Sequence, residues 1–262
     1  MNQINRHLLS LWQRFCFEMT FTLVRDPWQH TSSSQQTKYE QTLNLLPSTP
    51  LARVLELGCG EGHLTVPLAA RADSLIATDI SQLALSRAAK NCATHRLENV
   101  SFQRLDLTLD PLPGSCDLIV CSEVLYYVSG QLALKAVARK LIAALKPGGY
   151  LLTSHYLRVD SEPERTRFDW LLPFGALLIG ETLATTYPLR LVKEIRAPRY
   201  RIQLFQCDGH MGVLSPHSSP EVTELAQSQL PQRQRSVFDL LSLAFLFNQL
   251  QRLVKLTVRR NE

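Results

Sequence analysis

The sequence predicts a doubly wound α/β domain: a Rossmann-like sheet, mostly parallel. Three observations carry this. An apolar run at Val54 to Leu57 enters a turn with glycine at every second residue. Two later apolar runs each end in an acid, at Asp79 and Asp106. Strand-type and helix-type patterns alternate from Arg53 to about His155. Alternation of this kind, with right-handed crossovers, builds a parallel sheet covered by helices.

Val54-Leu55-Glu56-Leu57-Gly58-Cys59-Gly60-Glu61-Gly62-His63 is the first element of the core. It reads as a buried strand, a glycine turn and the start of a helix. Glycine accepts positive φ and removes the Cβ atoms that would hold a ligand away from main chain. A helix N-terminus there favours anionic or polar ligand groups. A dinucleotide site has the order G-x-G-x-x-G, but here the third glycine comes one residue early. Glu56 would also repel a pyrophosphate, whereas it tolerates a ligand carrying an ammonium and a sulfonium. A glycine turn with no ligand at all is the alternative at this point.

Leu75-Ile76-Ala77-Thr78-Asp79-Ile80 reads as the second strand. Its terminal acid lies about 20 residues after the turn, where Rossmann-type folds place a ribose-binding carboxylate. Asp79 could instead cap the helix that follows, but Ser81 supplies that function itself. Val100 to Leu107 reads as a third strand ending at Asp106, and Cys116 to Val128 as a fourth strand with its trailing loop. Lys146-Pro147-Gly148-Gly149 stops a helix before a fifth strand reaching His155. Leu189 to Ile195 and Tyr200 to Gln206 read as two further strands joined by a turn near Pro198.

The order E-x-G-x-G-x-G, followed by these segments, resembles the class I methyltransferases that use S-adenosylmethionine, which implies that the sheet closes with an antiparallel last strand. The resemblance implies a cofactor set of Glu56, Gly58, Cys59, Gly60 and Gly62 at the turn, with Asp79 and Ile80 at the ribose. It places Asp106 and Leu107 at the adenine, Ser122 at the end of the fourth strand, and Trp28 and Tyr39 in a lid. Asp26-Pro27-Trp28, Tyr39-Glu40-Gln41-Thr42-Leu43 and Ser122-Glu123-Val124-Leu125-Tyr126-Tyr127 look like the nodulation protein S family. Members of that family N-methylate the amino sugar of a chitin-type oligosaccharide, which implies a small-molecule or saccharide acceptor here. An amine acceptor must lose its proton before it attacks, so a carboxylate or imidazole nearby would help. Glu123 is the first candidate, just past the fourth strand, and His155 ends the fifth; Tyr126 would line the pocket. O-methylation, or cofactor binding without turnover, are the rival functions.

Composition narrows the partners. With 45% hydrophobic and 19% charged residues the chain is globular material. A net charge of +5 without a basic run interleaved with aromatics disfavours nucleic acid. The six cysteines form no C-x-x-C pair and fit a reducing, cytoplasmic setting. No apolar run reaches the roughly 20 residues of a membrane span, so stable membrane insertion is not expected. His210 and His217 lack partners at ligand spacing, and no metal is expected.

The expected organisation runs from N-terminal helices and lid (1–46) to the methyltransferase domain (47–207), which holds an inserted segment (158–187). A linker rich in Gly, Ser, Pro and His (208–234) then leads to an apolar amphipathic helix (235–262). That helix could pack on the core, form a homodimer seam or touch a membrane surface. Apolar residues at helical spacing from Ile4 to Leu23 predict an amphipathic first helix.

Overall fold

The computed structural model describes residues 3–157, 175–209 and 219–226. In chain order the strands are β1 (Arg53–Leu57), β2 (Ser74–Asp79), β3 (Val100–Arg104), β4 (Cys116–Ser122), β5 (Leu145–Tyr156), β6 (Leu189–Arg196), β7 (Tyr200–Cys207) and β8 (Glu221–Glu224). They form one sheet in the order β3-β2-β1-β4-β5-β7-β6-β8. The first five pair in parallel. β7 is antiparallel to both of its neighbours, β5 and β6. The order reverses between β1 and β4, and that crevice at their carboxyl ends is where open α/β sheets bind ligands.

The expected antiparallel strand is β7, which lies between β5 and β6 inside the sheet. β8 adds an edge strand parallel to β6, and it falls within the stretch expected to be linker. The inserted residues 158–174, His210, His217 and the 235–262 helix with its dimer seam lie outside the described residues. Among the described residues, no helix is long and apolar enough to cross a membrane.

Strand alternation divides the core between the two faces. Leu55, Leu57, Ile119, Cys121, Leu151 and Phe205 pack on one side. That side is covered by α5 (Gln131–Ala144) and α6 (Ala176–Ala184). Val54, Leu118, Val120, Leu152, Ile202 and Leu204 pack on the other. There the chain adds α3 (Thr65–Ala69) and α2 (Ser33–Asn44), and α4 (Gln82–Thr94) joins β2 to β3.

Two helices are built against the usual pattern. The buried residues of α2 are Gln35, Lys38, Tyr39 and Thr42, a polar stripe at the spacing of one helix face. α1 (Gln3–Leu23) turns much of its apolar stripe outward: Leu8, Leu11 and Phe15 are 55%, 60% and 55% exposed. Its other face, with Ser10, Gln13, Phe17 and Phe21, meets the carboxyl edge of the sheet through the contacts described below.

The glycine turn explains its own composition. Gly58, Gly60 and Gly62 all have positive φ. A Cβ on Gly58 would lie 3.1 Å from the Val124 side chain, and one on Gly62 would lie 3.1 Å from Ala88 of α4. The third glycine therefore sets how closely turn and helix approach. Gly62→Ala is expected to lower stability by about 1–3 kcal/mol, from left-handed strain plus overpacking. Gly114→Ala, with open space around it, is the control, and urea unfolding of both variants is the measurement.

Candidate active site

The centre of the site is the junction of glycine turn and β2. Asp79 ends β2 and is buried; its Oδ2 accepts from Gly60 N–H at 2.9 Å and its Oδ1 from Ser81 N–H at 2.9 Å. Cys59 N–H donates to Thr78 O at 2.9 Å, closing the turn onto the same strand. Burial pushes Asp79 up to about 6, although the amides of Ser81, Gly60 and Ile80 pull against it. A carboxylate offers about four lone-pair sites. The three amides therefore leave acceptor capacity on Asp79 for a further donor such as a hydroxyl.

Glu56 sits one layer deeper on β1, buried on the face it shares with α3. Its Oε2 accepts from Thr65 Oγ1 at 2.6 Å. Burial raises Glu56 to about 7; the Thr65 bond opposes this and the Asp79 charge adds to it.

Asp106, just past β3, takes part in a tight local fold. Oδ1 accepts from Thr108 N–H, Thr108 Oγ1 and Leu109 N–H, and Oδ2 accepts from Ser10 Oγ of α1. Burial would raise this acid, but the Ser10 and Thr108 bonds outweigh it and hold the group below its ordinary range. One acceptor position on Oδ2 remains, beside Ser10. Leu107 contributes its carbonyl to Lys140 Nζ at 2.9 Å.

α1 crosses the edge from strand to strand. Beyond Ser10, Gln13 Nε2 donates to Tyr127 O at 2.9 Å. Glu18 accepts from Ser81 Oγ (3.0 Å), Gln82 N–H (2.6 Å) and Leu83 N–H (3.2 Å), a carboxylate set on the N-terminus of α4. Arg87 on α4 answers by donating to Phe21 O at 2.7 Å and pairing with Glu61 at 2.6 Å. α1 thus fastens to the tips after β2, β3 and β4. Ser10, Gln13 and Glu18 are not legible in the sequence, since single polar residues on a helix carry no signal of what they reach.

The second centre is a buried ion pair. Lys38 Nζ lies 2.5 Å from Glu123 Oε1; the Lys38 side chain is 0% exposed and that of Glu123 22%. The ammonium also stands 4.3 Å from the centroid of the Tyr156 ring and 5.9 Å from that of Tyr200. Burial works to lower Lys38, but Glu123 and Tyr156 reverse it and keep the cation. Burial raises Glu123, with Lys38 opposing. Glu123 has φ +56, and its N–H donates to Ser154 O at 2.9 Å. Left-handed backbone at a non-glycine residue is strain held in place by its surroundings, and here it sets the carboxylate at the β4 tip beside Ser122.

Two expected catalytic residues take other places. His155 is buried, and its Nε2 accepts from Leu125 N–H at 3.1 Å. Burial, then Lys38, lowers it to about 3. It is a neutral acceptor that holds the 3₁₀ turn Leu125–Tyr127 (η1 in that loop), which corrects its assignment as a proton carrier. Tyr126 is buried in the core and packs edge-on against His155 (5.2 Å). Its neighbour Tyr127 faces the site: it packs edge-on against Phe17 of α1 (5.1 Å) and bonds Trp28. Trp28 stacks near Phe21 (5.1 Å), which makes it an anchor between loop and lid. Tyr39 is buried, with its hydroxyl 2.5 Å from His30 Nδ1. Burial lowers His30 to about 4, and its Nε2 lies over Gly60.

Asp26, Glu61 and His63 bring ligand-type atoms within 4.8 Å of one another. Asp26 is already bonded to His30 N–H and to Thr31, and Glu61 to Arg87, so the cluster reads as a loop fastening.

Comparison with known proteins agrees with this geometry. Residues 54–149 match the methyltransferase domain family. Nodulation protein S of Bradyrhizobium diazoefficiens is 31% identical over 131 residues, 49% of this chain and 62% of that protein. The Sinorhizobium fredii protein of the same name is 28% identical over 49% of this chain and 60% of its own length. The chain therefore spans about three-fifths of the curated relatives it matches. The crystal structure of N-methyltransferase NodS from Bradyrhizobium japonicum WM9, in complex with S-adenosyl-l-homocysteine, superposes with a TM-score of 0.64. Identity there is 24%, covering 76% of this chain and 98% of that one, a likeness of fold.

The buried acids give a signed pH dependence. Glu56 rises from an ordinary 4.5 to about 7, and Asp79 from 3.8 to about 6. Both bind protons more tightly folded than unfolded, so stability falls as pH rises between the ordinary and raised values. These two acids contribute a loss of stability between about pH 4 and 7, against an opposite contribution from the buried His30 and His155, whose lowered values favour folding as pH rises toward the ordinary 6.5. Glu56→Gln is expected to flatten the upper part of that slope in urea titrations at a series of pH values.

Proposed function

We propose that this chain, which carries a class I methyltransferase domain resembling nodulation protein S, methylates a nitrogen of a small amine or amino-sugar acceptor using S-adenosylmethionine. The observation that carries the proposal is the arrangement of Asp79. A buried carboxylate, fixed by Gly60 and Ser81, keeps acceptor positions free at the β2 tip directly beside bare glycine backbone.

The residues present fit such a cofactor. Asp79 would accept from the two ribose hydroxyls. Asp106 keeps one acceptor position on Oδ2 for an amino group, alongside Ser10. Glu56 would offset the cationic amino-acid end over the turn at Gly58, Gly60 and Gly62. When bound, the cofactor supplies a methyl group on a sulfonium, ready for displacement by a lone pair. The chain's own work is positional: α1 and the segment from Trp28 to Tyr39 cover the edge, and Glu123, partly exposed, would accept from an acceptor N–H. Orientation of this kind is worth many powers of ten in rate, and excluding water strengthens the electrostatics. The six free thiols, five of them buried, favour a reducing compartment such as the cytoplasm.

Asp79→Asn keeps the size of the side chain and removes its charge. It is expected to weaken S-adenosylhomocysteine binding at least roughly tenfold by calorimetry, the worth of a charge-assisted bond. Unchanged affinity, or no heat and no thermal protection with the wild type, would remove the proposal. Glu123→Gln, which can still accept from Lys38, is expected to reduce turnover on a glucosamine oligomer more than cofactor affinity. Equal losses would move Glu123 to the cofactor.

A further inference from the structure

We infer that the Nε2–H of His30 binds the carboxylate at the amino-acid end of S-adenosylmethionine, beside the glycine turn. This rests on the cofactor proposed above and assigns a binding role to a residue from outside the strand motifs.

The loop between α1 and α2 is built to hold this ring. Asp26 and Gln29 both take positive φ, which turns the chain back on itself. Asp26 Oδ1 accepts from His30 N–H at 2.6 Å. Its Oδ2 accepts from Thr31 N–H at 3.1 Å and from Thr31 Oγ1 at 2.8 Å. Gln36 Nε2 donates to His30 O at 2.7 Å, so both main-chain polar groups of His30 are fastened. The imidazole also lies near-parallel to that of His63, 5.4 Å away at 28°. Its position is set by the chain itself.

The partner of Nδ1 assigns the tautomer. Tyr39 is buried, and burial, then the Glu123 charge, holds its hydroxyl protonated. Among the described residues the hydrogen-bond partner of that hydroxyl is His30 Nδ1, at 2.5 Å. A buried O–H left without an acceptor is costly, so Tyr39 donates and Nδ1 accepts. Burial keeps the ring neutral, lowering it to about 4. A neutral imidazole that accepts at Nδ1 carries its proton on Nε2.

Nε2 has no hydrogen-bond partner among the described residues. Nor is it sealed: the buried side-chain polar atoms without a partner there are Trp12 Nε1, Gln35 Oε1 and Ser154 Oγ. It lies at the turn, since a Cβ on Gly60 would be 3.7 Å from Nε2 and within 4 Å of no other atom. Gly60 N–H in turn donates to Asp79 Oδ2. A donor from the loop and an acceptor from β2 therefore meet at one bare residue. A nucleoside whose ribose bonds Asp79 would carry its amino-acid tail over that residue. The tail ends in an ammonium and a carboxylate, and an N–H donor selects the carboxylate. The neighbouring acids are already engaged: Asp26 by His30 and Thr31, and Glu61 by Arg87 at 2.6 Å. Glu56 lies deeper, bonded to Thr65, and its charge suits the ammonium.

Calorimetry with two ligands separates the ends of the tail. S-adenosylhomocysteine carries both charged groups, whereas its decarboxylated analogue, an aminopropylthio-adenosine, keeps the amine and lacks the carboxylate. His30→Ala is expected to weaken S-adenosylhomocysteine at least roughly tenfold, the worth of a hydrogen bond to a charged group, and to leave the analogue within about twofold of wild type. Equal loss for the two ligands, or loss for neither, overturns the inference. Should His30→Ala not fold, wild type decides by magnetic resonance on protein carrying isotope-labelled histidine. The His30 Nε2–H signal is expected to move when S-adenosylhomocysteine binds and to stay in place with the analogue. A signal that moves alike with both, or with neither, overturns the inference. Failure of wild type to bind S-adenosylhomocysteine at all would instead sink the methyltransferase proposal.

Discussion

The carboxylate of Asp79 is the joint on which the rest of the site is hung. It bonds Gly60 in one loop and Ser81 in the next, so the β1 turn and the start of α4 hold one relative position. Ser81 also caps α4, donating its hydroxyl to Glu18 while accepting from Ala84 N–H at 3.1 Å. The lid is therefore fastened to the residue that the β2 carboxylate positions. A shift at the β2 tip would reach the glycine turn, the helix and the lid together. Such coupling needs no long pathway, because all four parts share adjacent hydrogen bonds.

The same edge concentrates electrostatic cost. Glu56 and Asp79 are buried acids raised by desolvation, and Lys38 is a buried base kept charged by Glu123. A protein core gains nothing from this set; buried ion pairs are often no more stable than well-packed apolar residues. Their grouping at the carboxyl ends of β1, β2 and β4 is the pattern expected where function outweighs packing. A ligand bringing hydroxyl donors and a cationic centre would relieve Asp79 and Glu56, and its binding would then stabilise the folded state by mass action.

What was legible in the sequence followed from local pattern. Glu56, the glycines, Asp79 and Asp106 lie within or directly after strands, where period-two burial and an abrupt turn mark the carboxyl edge. The antiparallel strand came from the resemblance, and the order of the strands in the sheet appears only in the structure. Less legible was which face of a strand meets the site. His155 lies on the Leu151 face, with Tyr126 and the α5 core, while Tyr156 lies on the Leu152 face near Lys38. Alternation separates the two residues but does not say which side holds the chemistry. Lys38, Ser10, Gln13 and Glu18 were hidden for another reason. On an isolated helix, polar residues read as a solvated face, and only the packing of α1 and α2 over the edge turns them inward.

That inversion bears on how the lid works. A helix held by an apolar face would close through non-directional burial, tolerant of small displacements. α1 instead meets the edge through hydrogen bonds at Ser10, Gln13 and Glu18, flanked by the Phe17 and Phe21 rings. Hydrogen bonds are directional, and each contributes only about 1 kcal/mol net against water. A contact of this kind is specific in register, and water can replace each bond where it breaks; the Phe17 and Phe21 rings, against Tyr127 and Trp28, supply its apolar part.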